Sequence, residues 1–385
     1  LKAFLISIVL VLITLVILDI TLLKKIQTYY KTNDNSVRYS TTFEKYKSRD
    51  IIVENMTPRT LLLLGSSELT TTINENYHPK KIFNYEDFNI MQVGVGNSQN
   101  IIHAATIGSI GNDVKDNEIV MIQSIQWFDN KNGILKDAFL SRISSEHVYN
   151  TMKNDKISYK TKEKFINRVI ELSSTNKELN KKYKSYKRYF LEGKGNKFTG
   201  EFIKLDNYFY VLKNKLNFYK NKGKENYPVS GEKTPDYNWD ELDKKVAEEA
   251  KERTNNNDYQ IDNTYYDKYI RVKYNQLKDS SKNTNYDDSK EYDDLDILLS
   301  IVKDLNIKMK FAILPANGKW SDYTGIDSAT RQVAYNKIKE IAQNNNIEVM
   351  DYSSKEYENY YMYDAMHLGW RGWIDFERDL YKLKK

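Results

Sequence analysis

Tyr363 to Trp373 runs YDAMHLGWRGW and sets Asp364 and His367 three residues apart. An aspartate at that spacing can orient one imidazole nitrogen and leave the other free as a base. Such a base serves a nucleophile, and the other end of the chain offers one. Leu61 to Leu69 runs LLLLGSSEL, an apolar run that breaks at Gly65 and delivers Ser66 and Ser67. A buried strand followed by a sharp Gly-Ser turn holds a serine hydroxyl at the carboxyl edge of a parallel sheet. Ser67 is the expected nucleophile. The other assignment makes Ser66 reactive and leaves Ser67 to cap the next helix. Glu68 is expected as a first-turn residue favoured by the helix dipole.

Elements that could bring the two ends together follow from apolar runs. Strands are expected at Leu61–Leu64, Ile90–Val93, Glu118–Gln123, Lys308–Leu314 and Ile347–Met350. Helices are expected at Gln99–Ser109, Tyr292–Leu305 and Ser328–Asn344. Short apolar strands alternating with helices predict an α/β fold, a parallel sheet flanked by helices. Gly65-Ser66-Ser67, Gly94-Val95-Gly96-Asn97 and Gln126-Trp127 each follow a strand and should gather at one sheet edge. The Asp364/His367 loop follows the fifth strand and can reach the same edge. Together they supply a nucleophile, backbone donors, a side-chain amide and an oriented base, the parts that acyl transfer needs.

Composition narrows the alternatives. The 385 residues contain no cysteine, which excludes disulfides and thiolate metal sites. The four histidines, His78, His103, His147 and His367, show no recognisable ligand spacing, which argues against zinc. His78, His103 and His147 are expected to be structural or exposed. The net charge of +6 is mild for this length, and acidic residues alternate with lysines. That pattern is a solvated surface rather than a nucleic-acid footprint.

Residues 3–23 are almost wholly apolar. As one helix they would be about 32 Å long, enough for a hydrocarbon core of about 30 Å. No small-residue cleavage site follows, so a membrane anchor is expected rather than a cleaved leader. Lys2 before the span and Lys24 and Lys25 after it leave its orientation undecided. Residues 24–58 are polar and tyrosine-rich and suggest a stalk. Residues 59–129 and 290–385 form the expected α/β domain. Residues 130–289 differ in texture, with many Lys, Tyr, Asn and Glu, and are expected to be a mainly helical insertion. Thr161–Leu172 and Tyr265–Leu277 suit amphipathic helices, and Asn221–Trp239 suits a loop.

The order of these motifs resembles the SGNH (GDSL-type) hydrolase superfamily. Its first block is G-D-S, here Gly65-Ser66-Ser67, which implies Ser67 as nucleophile. Its second block supplies an oxyanion glycine, best matched by Gly96, with Gly94 in reserve. Its third supplies an asparagine, for which Gln126 is the nearest equivalent. Its last is D-x-x-H, here Asp364 and His367. Ser66 stands where the superfamily has aspartate, and the asparagine is absent, so the oxyanion assignments rest on the least of the pattern. A closer resemblance is to the DltD family of D-alanyl-lipoteichoic acid biosynthesis proteins. It is carried by the amino-terminal span, Gly65 to Leu69, Gln126-Trp127-Phe128, Pro315 to Gly325 and His367 to Trp373. This resemblance implies a single-pass protein of a Gram-positive cell membrane with its carboxyl-terminal domain extracellular. It implies help in placing D-alanyl esters on teichoic acid. The implied partners are the teichoic acid acceptor, a membrane-bound O-acyltransferase and a D-alanyl carrier protein, with no cofactor, metal or nucleic acid. Two functions compete: a serine acyltransferase or esterase, and a non-catalytic protein that presents the carrier or the polymer. Trp127, Trp320, Trp370 and Trp373 are expected mainly in packing, and Asn317 either in a turn or at a ligand.

Overall fold

The computed structural model describes residues 2–23, 35–70, 77–222 and 226–384. The five expected strands form one parallel sheet. They are β1 (Thr60–Leu64), β2 (Asn89–Val93), β3 (Ile119–Ser124), β4 (Lys310–Leu314) and β5 (Glu348–Asp351), in the spatial order β2-β1-β3-β4-β5. β1, β2 and β3 are buried at every position, which is why they appear in the sequence as continuous apolar runs.

Strand periodicity divides these residues between two faces. Leu62, Leu64, Met91, Val93, Met121 and Phe311 meet the helices Asn100–Val114 and Lys290–Asp304. Leu61, Leu63, Ile90, Val120, Ile122 and Leu314 meet Phe83, Phe88 and the final helix, Trp370–Tyr381, through Trp373, Phe376 and Leu380. A fully buried leucine here is worth about 1.5–3 kcal/mol, and truncating Leu63 to alanine would leave a cavity in the layer under the final helix.

The chain leaves β1 toward β2 on one side and returns past it to β3 on the other. That reversal opens a crevice between the carboxyl ends of β1 and β3, where open α/β sheets bind their ligands.

The stretch between β3 and β4 is helical and wraps both faces. Its helices Ser145–Lys153 and Tyr159–Leu172 join the layer around Asn100–Val114. Its helix Trp239–Arg253 packs instead on Trp370–Tyr381. Tyr265–Leu277 winds as short π, 3-10 and α pieces rather than one regular amphipathic helix. Most of its turns are exposed, so no long apolar face holds a single period, and Ile270 is its buried anchor. In Asn221–Trp239, the described residues after Lys222 are non-helical until Trp239.

Two expectations change. Residues 35–58 do not form a stalk; 24–34 lie outside the described residues. Arg38 lends its carbonyl to the Gln92 N–H along the free edge of β2. The Tyr39 hydroxyl accepts from Ile90 N and donates to the Phe83 carbonyl. Polar and tyrosine-rich residues are buried here because their polar tips are paired.

The second change is that residues 3–23 do not form one regular α-helix. An α-helix covers Lys2–Ile17 and six residues of π-helix, Leu18–Leu23, continue it. The α-helical part, about 24 Å long, falls short of a hydrocarbon core. No helix among the described residues is long and apolar enough to cross a membrane. The Thr14 and Thr21 hydroxyls bond back to the Leu10 and Ile17 carbonyls, competing for the acceptors that keep an α-helix regular.

Candidate active site

β1 ends at Leu64, and the turn Gly65-Ser66 leads into a single 3-10 turn, Ser67–Leu69. Gly65 N donates to the Val93 carbonyl at 3.1 Å, pinning the turn to the end of β2. Gly94 must be glycine: its φ is +142°, and a Cβ there would stand 1.7 Å from the Gly65 carbonyl oxygen. His103, fully buried, bonds the same oxygen through Nε2 at 3.0 Å. Burial pushes its pKa down to about 4, so it stays neutral and can donate.

The two serines then part. Ser66 is buried and its hydroxyl donates to the Val95 carbonyl at 3.3 Å. Ser67 faces the crevice, and its Oγ lies 2.9 Å from His367 Nε2, across 300 residues of sequence. His367 Nδ1 lies 2.8 Å from Asp364 Oδ2. Asp364 Oδ1 accepts the Met366 and His367 amides, each at 2.9 Å, which fixes the carboxylate under the ring.

With the carboxylate on Nδ1, the tautomer that leaves Nε2 as acceptor for the serine hydroxyl is the favoured one. Burial works against a charge on His367. The hydrogen bond and charge of Asp364, with Glu68 behind them, outweigh it and raise the pKa above the usual value of 6.5.

The histidine loop is held from outside. Tyr363 N donates to the His367 carbonyl at 2.9 Å, closing the loop on itself. Asn317, after β4, donates its N–H to the Ala365 carbonyl at 2.9 Å. Its side chain caps the next helix by accepting from Trp320 N at 3.1 Å, so Asn317 is a structural cap. Asp262, from the helical insertion, donates its N–H to the Tyr363 carbonyl at 2.9 Å. The Asp262 carboxylate is in turn fixed by Arg253, 2.7 Å away.

A cleft of about 220 Å³ opens beside Ser67 and is lined by Asn97, Gln99, Gln126, Trp127 and Leu135 among others. Gln126 therefore sits where its amide can face a ligand. Gly96 borders Ser67: a Cβ on it would be 3.8 Å from the serine Cβ. Its carbonyl accepts from Arg142 Nε, which fixes the peptide plane that also carries the Asn97 N–H. A hollow of about 520 Å³ lies at the opposite sheet edge, lined by residues such as Lys303 and Asn345 and by none of the residues above.

Sequence reasoning assigned Glu68 to the dipole and missed its main contact. Its side chain is fully buried and its Oε2 accepts the Ser66 N–H at 2.8 Å. Burial raises its pKa, while His367 and the Ser66 amide pull it back. Asn97, at φ +68° and exposed in the cleft, was signalled only by its place after two glycines. Gly94 belongs to the turn's packing. His78 and His147 are buried and held neutral, with pKa values pushed down to about 3 and about 4 by desolvation. Trp127, Trp320, Trp370 and Trp373 are all buried. Among the described residues, no group of three or more His, Asp or Glu side chains is arranged to hold a metal ion.

A serine, a histidine and an aspartate in hydrogen-bonded line, at the switch point of a parallel α/β sheet, is the arrangement of the serine hydrolase and acyltransferase class. Comparison with known proteins identifies the family. The DltD protein family model matches residues 38–385, and the chain belongs to that family. It is 31% identical to protein DltD of Bacillus subtilis over 338 residues, 85% of this chain and 84% of that protein. It is 28% identical to protein DltD of Staphylococcus aureus over 330 residues, covering 84% and 80%. Against protein DltD of Lacticaseibacillus rhamnosus the identity is 24% over 344 residues, covering 86% and 77%.

Proposed function

We propose that this protein is an extracytoplasmic serine acyltransferase or esterase acting on D-alanyl esters in the D-alanylation of teichoic acid. Membership of the DltD family supports the pathway. The chemistry rests on one observation above all, the 2.9 Å contact between Ser67 Oγ and an Asp364-oriented His367.

In this reading Ser67 gives its proton to His367 Nε2 as Oγ bonds to the D-alanyl carbonyl carbon. The carbonyl oxygen becomes an oxyanion, met by the Ser67 and Gly96 amides and the Gln126 side chain. The oxyanion collapses, the bond to the donor breaks, and the leaving group takes the proton from His367. A polyol hydroxyl of teichoic acid then gives its proton to His367 and attacks the acyl-serine. The new ester leaves and Ser67 recovers its proton. Water in place of the polyol makes the same steps an esterase.

The helical run Lys2–Leu23 serves as the membrane anchor. Its two pieces together are longer than either alone, and Ile6, Val9, Leu10, Val11 and Ile13 all stand exposed. A membrane-bound O-acyltransferase and a D-alanyl carrier protein are the partners this reading requires upstream.

A serine-reactive fluorophosphonate tests the reading. It should label the intact protein and spare Ser67→Ala. Labelling of both to the same extent, or of neither, would remove the nucleophile. The cellular counterpart is ester-linked D-alanine on walls, which Ser67→Ala should abolish at unchanged protein level.

A further inference from the structure

The longest helix, Lys197–Lys222, covers 26 residues and carries an apolar stripe that protein covers along only half its length. Phe198, Phe202, Leu205 and Phe209 are spaced four, three and four apart, which sets them on one line down the helix. They are 75%, 71%, 38% and 40% exposed. The same line continues to Leu212 and Leu216. There it is covered by Val37 and Ile51 of the domain and by Leu15 of the amino-terminal apolar helix. One stripe thus runs from a contact with that helix out onto bare surface. Three exposed phenylalanines in line are an interaction surface, not scatter.

We infer that the Phe198–Phe209 half of this helix is a second membrane contact, lying in the interfacial layer of the bilayer beside the amino-terminal helix. The inference rests on the anchor reading above, because the occupant is identified by continuity with that helix. What lies against an apolar helix that emerges from lipid is lipid. Lys197 and Lys213 are exposed and can reach anionic headgroups, and the two exposed carboxylates on this half of the helix, Glu201 and Asp206, are ion-paired with Lys204 and Lys182. An apolar line with lysines and paired carboxylates around it suits a helix that lies in the interface, its apolar face sunk about 5–10 Å.

The contact has a consequence for the site. The helix packs on Phe43–Tyr46 and on Ser145–Lys153, the elements next to Arg142 and the Gly96 peptide. Two points of attachment, span and stripe, fix the tilt of the domain where one would leave it to swing. The crevice is then presented at a constant height to a lipid-linked or membrane-borne ester.

The cysteine-free sequence makes the test direct. Single cysteines are introduced in the full chain at Phe202→Cys, Phe209→Cys, Lys204→Cys on another face, and Val11→Cys in the apolar helix. Each is labelled with an environment-sensitive fluorophore. The protein is reconstituted into vesicles of equal parts phosphatidylcholine and phosphatidylglycerol, with or without a lipid nitroxide, placed near the headgroup for the labels at 202, 204 and 209 and at the end of the acyl chain for the label at 11. Labels at 202 and 209 should shift to the blue and lose emission to the nitroxide, while the label at 204 stays in water. Quenching at 11 with aqueous emission at 202 and 209 overturns the inference and leaves the anchor standing. No quenching at 11 removes the anchor reading, and the stripe is then judged on 202 and 209 alone. A blue shift at 202 and 209 that the nitroxide does not quench means that protein covers the stripe, a second copy of this chain for example, and overturns lipid as the occupant.

Discussion

Adjacent serines with different surroundings make different predictions. Ser67→Ala should lower turnover of a small activated ester by roughly a thousandfold or more, as loss of a nucleophile does in a serine–histidine–aspartate site. Ser66→Ala loses only a long hydrogen bond to Val95, so it should cost about 1 kcal/mol of stability and little rate. Equal damage from the two, measured by turnover and thermal melting, would contradict the assignment. His367 works as a base only when neutral, and Asp364 raises its pKa. Activity should therefore rise with pH, with a midpoint above about 6.5. On this reading Asp364→Asn should slow turnover and move that midpoint down. A profile that is flat from about pH 5 to 8 would speak against His367. Gln126→Ala should lower kcat by on the order of 100-fold to 1,000-fold with KM nearly unchanged. A rise in KM alone would make Gln126 an acceptor contact. Serine and D-x-x-H were legible because each is local: three or four neighbours in sequence define it. Glu68 was not legible, because its weight comes from burial beside His367, which only the fold creates.

At the scale of elements, the turn after β1 depends on a glycine of another strand. Gly94→Ala would drive a Cβ into the Gly65 carbonyl at an already left-handed φ. A loss of roughly 3 kcal/mol or more is expected, read by denaturant unfolding. Melting unchanged from wild type would mean that the turn can move, and with it Ser67. Gly96→Ala meets only the Ser67 side chain at ordinary contact distance and should keep the fold. The strands were readable because burial on both faces leaves bare apolar runs. The segment from Asn35 to Pro58 was misread for the converse reason. Tyr39, Tyr46 and Lys45 are polar in sequence, yet buried with their tips on backbone oxygens. Composition cannot separate a solvated tyrosine from a buried one whose hydroxyl is paired.

Over the whole molecule, the membrane reading predicts that protease added to intact cells digests the domain beyond the apolar helix. Protection until lysis would place it on the wrong side of the membrane for teichoic acid. The insertion takes part in the site as well as covering the sheet, since the Asp262 N–H holds the loop that carries Asp364 and His367. The same bond sets the order in which the protein can become active. A chain made from its amino terminus owns Ser67 some 300 residues before it owns His367. Asp262 waits between them, ready to receive the Tyr363 carbonyl. Until the Asp364/His367 loop is made and docks on Asn317 and Asp262, the serine has no base and is an ordinary alcohol. A truncated or stalled product would carry an inert serine. On the acyl-transfer reading, Ser67 is therefore made long before its base and stays unarmed until the His367 loop has been made and docked.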